Sequence, residues 1–463
     1  MSNATPRTFH IDDVYGVARD LPENYVVRDQ VDGAFVEALA RDQHIVIHGS
    51  SKQGKTSLRK YTLGDNDYAY VMCSNQWNLA QLHSAILKAV GYSVEVSKTQ
   101  AVSGEFKINA KLHASVKLGP LSVGGEAGGG GGESKTTTTE TRQLELDPAD
   151  VNDVIAALDA AGSPKFIVLE DFHYLSDETQ RDFSVALKAF HENSAYTFVV
   201  VGVWLDSNRL VQHNGDLTGR VISINADRWT PAELRQAIQD GARLLNIQFD
   251  EAFVDELVGG SFESVWIVQE TCRLACSRVG VFETQGTTRL VEGNAQALIK
   301  EVVEAHSARY IGFIINFAVG FVTTTLEMYR WLLFPILSAP VGDLEKGIAY
   351  GEIRAALDTH HPERPINAGN LTQALQATAA LQVGRMRLKP IILDYDQTYR
   401  RLNVVDRSFL IWLQYQDRDT LLADAGLPSS AAASVNHPRS TPTESFCDVC
   451  GLQLSATGVC DYC

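Results

Sequence analysis

The sequence predicts an α/β fold, a parallel sheet covered by helices on both faces, and three observations carry that expectation. Short, continuously apolar segments alternate with helix-length amphipathic ones across residues 44–224. The first of these segments runs into the glycine-bracketed loop Gly49–Thr56, and a later one, Phe166-Ile167-Val168-Leu169, ends in Glu170-Asp171. Strands that are apolar along their whole length are buried on both faces, and strand–helix alternation is the pattern of parallel sheets.

Taken in order, His44-Ile45-Val46-Ile47-His48 reads as a buried strand and Thr56 to Tyr61 as the start of a helix. Between them stands G-x-x-x-x-G-K-T: Gly49, Ser50, Ser51, Lys52, Gln53, Gly54, Lys55 and Thr56, with Ser57 following. Glycines at both ends let consecutive backbone N–H groups and the helix N-terminus point at the oxygens of a phosphate chain. Lys55 is expected to reach the β- and γ-phosphates, and the Thr56 hydroxyl to complete the shell of a Mg²⁺ ion.

A second strand is expected at Tyr68–Cys73 and a helix at Leu79–Val90. From Ser103 to Val123 the pattern changes to period two, with Phe106, Ile108, Ala110, Leu112, Ala114, Val116 and Leu118 on one side. That alternation predicts a half-buried strand, ended by Gly119-Pro120, and a short second strand at Leu121–Val123. The glycine run Gly124–Gly132 and the polar stretch Glu133–Thr141 make the tip flexible, so the whole reads as a β-hairpin arm inserted into the core. Its lysines Lys107, Lys111 and Lys117 either manage a solvated edge or touch a partner or DNA. The core resumes with a helix Ala149–Ala161 opened by Asp147-Pro148, a strand Lys165–Asp171, a helix Glu178–Asn193, and strands Tyr196–Val203 and Val221–Ile224.

Paired carboxylates at the C-terminal end of a buried strand form the second half of a nucleotide-hydrolysing site: Glu170 would hold Mg²⁺ through water and Asp171 orient the attacking water. The order Glu-Asp reverses the commoner pair. Asp171 is one methylene shorter than Glu in that role, which predicts slow turnover and suits a switch better than a motor.

Composition bounds the rest. With 463 residues, 45% hydrophobic and 21% charged, the chain is that of an ordinary globular protein of about three domains. A net charge of −16 excludes a protein that coats nucleic acid by bulk electrostatics, while leaving room for a local basic patch. The most apolar run, Ile311 to Val322, is 12 residues long and interrupted by Asn316, too short for a bilayer of ~30 Å. It predicts a buried helix and no membrane contact. The opening MSNATPRTFHIDD has neither a basic nor an apolar leader, so a cytoplasmic location is expected.

Around Val168-Leu169-Glu170-Asp171-Phe172-His173-Tyr174-Leu175 and the phosphate loop, the chain resembles the P-loop ATPases of the AAA+ and STAND groups, most closely the origin-recognition-like branch. The resemblance covers roughly Asn24 to Ala275 and implies ATP as ligand and assembly into a homo-oligomer. It implies two readings for the leading segment Asn24-Tyr25-Val26-Val27-Arg28 and the helix near Val31–Ala40: packing over the adenine ring, or simple helix packing. Arg220, just before the last core strand, stands where such families place an arginine that reaches a neighbouring subunit's nucleotide; an ion pair within the subunit is the alternative. Asp206 and Asn208 are weak sensor candidates. The helices Pro231–Leu245 and Ser264–Ser277 would form a lid, in which Arg273 does not stand clearly at a second sensor position.

Helices at Tyr329–Leu337, Tyr350–Leu357 and Asn370–Leu381, then strands at Lys389–Tyr395 and Arg400–Val405, resemble a winged helix-turn-helix. Arg385, Arg387, Lys389, Arg400 and Arg401 could give it a basic edge for double-stranded DNA, whereas the nearly uncharged third helix suits protein docking or autoinhibition. Of seven cysteines, four fall in the last 17 residues, as Cys447-x-x-Cys450 and Cys460-x-x-Cys463. Two such knuckles predict a structural Zn²⁺ site in a small zinc ribbon. Cys73, Cys272 and Cys276 read as core residues.

The expected organisation is therefore an ATPase core over 1–230 with the arm at about 103–145, a helical lid over 231–310, a winged-helix-like domain over 311–424, a linker over 425–445 and the ribbon over 446–463. The expected function is an ATP-dependent switch, of signalling or defence type, that recruits a separate effector or partner protein. The alternative is a DNA-engaging loader or remodeller.

Overall fold

The computed structural model describes residues 7–16, 20–74, 77–96, 108–116, 138–205, 207, 209–227, 229–321 and 325–429. Its centre is a five-stranded, wholly parallel sheet. In chain order the strands are β1 (His44–His48), β2 (Tyr68–Met72), β3 (Tyr92–Val96), β4 (Ile108–Val116), β5 (Thr138–Leu146), β6 (Phe166–Glu170), β7 (Thr197–Val201) and β8 (Val221–Asn225). The central sheet has the order β2-β6-β7-β1-β8. Ile45 lies opposite Val199 on one side and Ile222 on the other.

Why both faces are covered follows from the period of two along each strand. Ile45, Ile47, Val168, Val199 and Val201 pack with Val31, Phe35 and Leu58 on one face. Val46, Ile167, Leu169, Phe198 and Val200 pack with Ile86, Leu158, Phe183 and Phe190 on the other. The three inner strands β1, β6 and β7 are thus buried along nearly their whole length, as doubly covered parallel strands must be, whereas the edge strands β2 and β8 expose Tyr70, Met72 and Ser223. The phosphate loop leaves the C-terminal end of β1 and the Glu170-Asp171 pair the end of β6, so both motifs open on the same edge, with β7 between them.

Two histidines are sealed into this core as neutral rings. The Phe198 N–H donates to His44 Nδ1 at 3.1 Å, while His44 Nε2 lies 2.9 Å from the Leu187 carbonyl and must carry the proton. His83 Nδ1 lies 2.7 Å from the Pro148 carbonyl. Burial pushes both pKa values down to about 4. Because the unfolded chain takes up these protons near pH 6.5, stability is present above that pH and is lost as pH falls towards 4. By pH 5 the loss is on the order of 2 kcal/mol for each ring. The urea midpoint is therefore expected to drop clearly between pH 7 and pH 5, and equal midpoints would count against this account.

The inserted arm is a three-stranded antiparallel sheet in the order β3-β4-β5. The partner of β4 is Thr138–Leu146, in register from Ile108↔Leu146 to Val116↔Thr138. This corrects the expectation that Glu133–Thr141 is only a polar tip: its last residues open β5. The expected strand Leu121–Val123 and the glycine run lie outside the described residues. The next helix, Val151–Ala161, is capped by Asp150, whose carboxylate accepts from Asn152 N. The expected capping by Asp147 is thus displaced, because Asp147 accepts from Ala149 N at 2.8 Å in the turn before it. Asp171 likewise falls just past the end of β6, at φ 57.

The second half of the chain is helical and shares one apolar core. Pro231–Leu245 begins with a capping box between Thr230 and Glu233, and is followed by Glu251–Gly260, Val265–Arg278 and Ala295–Glu304. Beside them β9 (Ile247–Phe249) pairs with β10 (Arg289–Val291). Then come Ser307–Val319, Met328–Ser338, Tyr350–His360 and Ala368–Gln376, and a small sheet of β11 (Ile348–Ala349), β12 (Leu393–Asp396) and β13 (Arg401–Val404) in the order β11-β13-β12. Buried Leu234, Trp266, Phe313, Trp331, Leu375 and Trp412 belong to a single cluster that spans the expected boundary near residue 310. The expected third helix, Asn370–Leu381, breaks after Gln376 and ends in a π-turn at Leu381–Arg385. The apolar run expected to be a buried helix is buried on one face only: Phe313, Ile314 and Phe317 are buried, whereas Ile311, Ile315 and Val319 are exposed, and among the described residues no helix is long and apolar enough to cross a membrane.

The two halves meet through Tyr174, Val203, Val383, Ile391 and Val405. An ion pair between Arg209 and Asp394, at 3.0 Å, flanks that apolar seam.

Candidate functional site

The phosphate loop takes the backbone shape that its glycines permit. Gly49 has φ 139, and a Cβ there would lie 2.8 Å from Asp227 Oδ1; Gly54, at φ 82, opens the helix Lys55–Thr62. Lys52 is left-handed too, at φ 62, where no glycine relieves the cost. The loop is held from several sides. Asp227 accepts from Ser50 N at 2.7 Å and from Ser50 Oγ at 2.6 Å. Ser51 N donates to the Val405 carbonyl at 3.0 Å, and Trp229 Nε1 to the Gln53 carbonyl at 3.2 Å.

Lys55 is almost fully buried and points back across the loop, donating to the Gly49 carbonyl at 3.0 Å and the Ser50 carbonyl at 2.5 Å. Burial pushes its ammonium down to about 8, and the Asp227, Glu170 and Asp171 carboxylates oppose that fall. At the next residue, Thr56 Oγ1 donates to Glu170 Oε1 at 2.7 Å. Thr56 and Glu170 are the two residues expected at Mg²⁺, and the fold brings them into contact from β6 and the loop helix. Glu170 Oε2 is buried, has no hydrogen-bond partner, and lies 3.4 Å from Arg59 Nε. A carboxylate with one oxygen left over beside a threonine hydroxyl suits a hydrated cation. Asp171 shares the site; burial raises its carboxyl above the ordinary range, as does Glu170, while Lys389 and Lys55 lower it.

These groups line one side of a cavity of 490 Å³. The far side is built by residues that no local motif marks: Tyr25 and Val26 of the leading segment, Trp229, Trp266 and Gln269. Asn24 and Gln269 exchange two amide hydrogen bonds of 3.0 Å, which tie the leading segment to the helix Val265–Arg278. Arg28 lies over the Trp229 ring at 4.2 Å and donates to the Ala226 carbonyl. The cavity is therefore cationic with hydroxyls and carboxylates at one end, and aromatic with amides at the other. That polarity matches a planar base joined to a phosphate chain, and the volume is of the size that small-molecule sites have. Pro390 of the C-terminal half closes part of the wall.

Of the expected site residues, Ser51 to Ser57, Glu170 and Asp171 all line this cavity. Gly49 and Ser50 stand just behind it. Arg220 does not join them within one chain: it is partly exposed and pairs with Glu192 at 2.9 Å. Arg273 pairs with Glu270 at 3.0 Å. Asp206 and Asn208 lie outside the described residues. Of the five cations expected on a basic edge, Lys389 sits 3.8 Å over the Tyr174 ring, Arg400 sits 4.2 Å over Tyr350, and Arg401 donates to the Gly347 carbonyl at 2.6 Å. Cys73, Cys272 and Cys276 are free and buried, as expected of core residues. Cys447, Cys450, Cys460 and Cys463 lie outside the described residues. Among the described residues no group of three or more His, Cys, Asp or Glu is arranged to hold a metal.

Missed in sequence reasoning were Asp227, Trp229, Gln269 and Val405. Nothing local signals them, since each reaches the loop only through the tertiary fold.

No family model matches the chain, and no curated protein does. Among solved structures, the Walker-type ATPase PABY2304 of Pyrococcus abyssi is similar at 12% identity and a TM-score of 0.48, over 87% of this chain and 99% of that one. The Orc1 protein of Aeropyrum pernix in complex with DNA is similar at 11% identity and 0.41, over 90% and 98% of the two chains. Cdc6p from Pyrobaculum aerophilum is similar at 12% identity and 0.37, over 90% and 97%.

Proposed function

We propose that this chain is an ATP-binding, slowly hydrolysing molecular switch of the AAA+/STAND type, whose nucleotide state controls assembly and the recruitment of a partner protein in signalling or defence. The observation that carries the reading is the convergence of Lys55, the Thr56–Glu170 contact and Asp171 at the polar end of a cavity whose other end is aromatic. Lys55 would hold the β- and γ-phosphates, and Thr56 and Glu170 would hold Mg²⁺, which supplies charge neutralisation on the phosphates when bound. Asp171, with its carboxyl raised by burial and by Glu170, positions water as a weaker partner than a longer Glu would. The partly exposed Arg220 would serve a neighbouring subunit's site in a homo-oligomer by exchanging Glu192 for phosphate.

The same reading keeps the winged-helix-like domain as a docking module in a cytoplasmic protein. Three of its five expected DNA-facing cations are engaged within the chain, and that favours protein docking over the loader alternative. The four C-terminal cysteines, on their spacing alone, would hold one structural Zn²⁺.

Hydrolysis is the test. Asp171→Asn is expected to slow phosphate release roughly a hundredfold while ATP affinity changes by less than about threefold, because a carboxylate that orients water acts on the reaction more than on binding. Phosphate release by the variant at the unchanged wild-type rate would refute the assignment. Adding double-stranded DNA to the same assay at two salt concentrations is expected to change nothing; stimulation that fades with salt would favour the loader.

A further inference from the structure

Lys52 carries two costs at once. Its backbone is left-handed at φ 62, a conformation that L side chains disfavour, and its charged side chain is half-buried against an aromatic ring. Such an outlier persists only where the surroundings over-determine it. Here they do. The ammonium lies 3.5 Å from the ring centroid of Trp266, in the helix Val265–Arg278, and the same ring packs against His306 with centroids 5.3 Å apart. Asp406 and Glu270 support the charge on Lys52, and Arg309 opposes it. Arg309 in turn pairs with Asp406 at 2.5 Å and donates to the Pro390 carbonyl at 2.6 Å. The preceding residue, Ser51, gives its N–H to Val405. Two consecutive residues of the phosphate loop are thus fastened to two different elements of the second half of the chain.

We infer that Lys52 is a positioning residue that couples the phosphate loop to the helical half through the face of Trp266, so that a nucleotide held by the loop leaves only when this contact opens. The inference rests on the nucleotide reading above. Lys55 lies across the loop on its own carbonyls, while the Lys52 ammonium sits on Trp266 at the aromatic side of the same cavity, so the two lysines divide the work: Lys55 is the one placed for the phosphates and Lys52 ties the loop to the facing wall. Any movement of the loop that admits or releases phosphate shifts the Lys52 backbone, and through it the Trp266 helix and the Asp406–Arg309 pair.

The test is a double-mutant cycle on nucleotide release, using the full chain and a fluorescent methylanthraniloyl-ADP. Lys52→Gly removes the side chain and suits the left-handed backbone; Trp266→Phe keeps the core filled while weakening the cation–π contact. Lys52→Gly is expected to speed release by about tenfold, the size of a partly desolvated cation–π contact. Adding Trp266→Phe to Lys52→Gly is then expected to change the rate by less than about twofold, because the shared contact is already gone. Lys52→Arg should restore release to near the wild-type rate. Lys52→Met, which loses the charge but keeps the volume, should behave as Lys52→Gly does, and melting temperatures show that each variant is folded. Wild-type release rates in Lys52→Gly, or effects of Lys52→Gly and Trp266→Phe that multiply independently, would overturn the inference while leaving the nucleotide reading intact. A wild-type chain that binds no methylanthraniloyl-ADP would instead overturn the nucleotide reading itself.

Discussion

Lys55→Ala is expected to remove ATP binding without unfolding the protein. The ammonium is enclosed, its hydrogen bonds run to two carbonyls of its own loop, and burial depresses its pKa to about 8. A charge held so expensively contributes little to the stability of the nucleotide-free chain, so its loss should change that stability by no more than about 1 kcal/mol. Towards ATP the balance reverses. Two charge-assisted hydrogen bonds to phosphate are worth about 3–5 kcal/mol, a hundredfold to several-thousandfold in affinity. A thermal-shift series reads both effects together. Wild type should gain about 2.7 kcal/mol at an ATP concentration a hundred times its Kd, whereas Lys55→Ala starts from a similar melting temperature and gains at most about 0.4 kcal/mol. An ATP-dependent shift of wild-type size in Lys55→Ala would show that the loop is not the binding element.

Asp227→Ala should do the opposite and damage the apo protein as well as the site. The carboxylate is buried, accepts from both the N–H and the hydroxyl of Ser50, and lies 3.9 Å from Arg407 of the C-terminal half. Its truncation leaves the Ser50 N–H without a partner and Arg407 with one carboxylate fewer. Destabilisation on the order of 3 kcal/mol follows, since orphaned buried donors and broken ion pairs both cost in that range. Because Ser50 opens the phosphate loop, ATP affinity should fall by at least about tenfold, as it does when a site's supporting shell is loosened. Asp227→Asn keeps an acceptor for Ser50 N and should recover most of the stability. Urea midpoints for the three proteins check this, and an Asp227→Ala midpoint equal to that of wild type would remove Asp227 from the account.

What could be read along the chain and what could not divides by distance. The loop from Gly49 to Thr56 was legible because its requirements are local: a strand with an apolar centre, Ile45-Val46-Ile47, glycines at both ends of the loop where φ is positive, and a helix directly after. Glu170 was legible for the same reason. The arm was half legible. The strand Ile108–Val116 alternates apolar and polar residues, but its partner Thr138–Leu146 opens with Thr-Thr-Glu-Thr-Arg, and only Leu144 and Leu146 at its end mark an apolar face. The break after Gln376 was hidden by good helix formers, NLTQALQATAAL, which local propensity would continue. It is set from elsewhere: the buried Gln382 amide bonds to Ile392 N at 2.7 Å and to the Leu393 carbonyl at 2.7 Å, which turns the chain onto β12. Asp227, 177 residues beyond Ser50, and Val405, still farther along the chain, are site residues for reasons that only the folded chain holds.

The most direct test of the central claim is a calorimetric titration of Mg²⁺·ATP into the full-length chain. The geometry predicts saturable binding of one nucleotide per chain, abolished in Lys55→Ala. Heats that stay at the level of dilution for the wild-type protein up to millimolar ATP would contradict it.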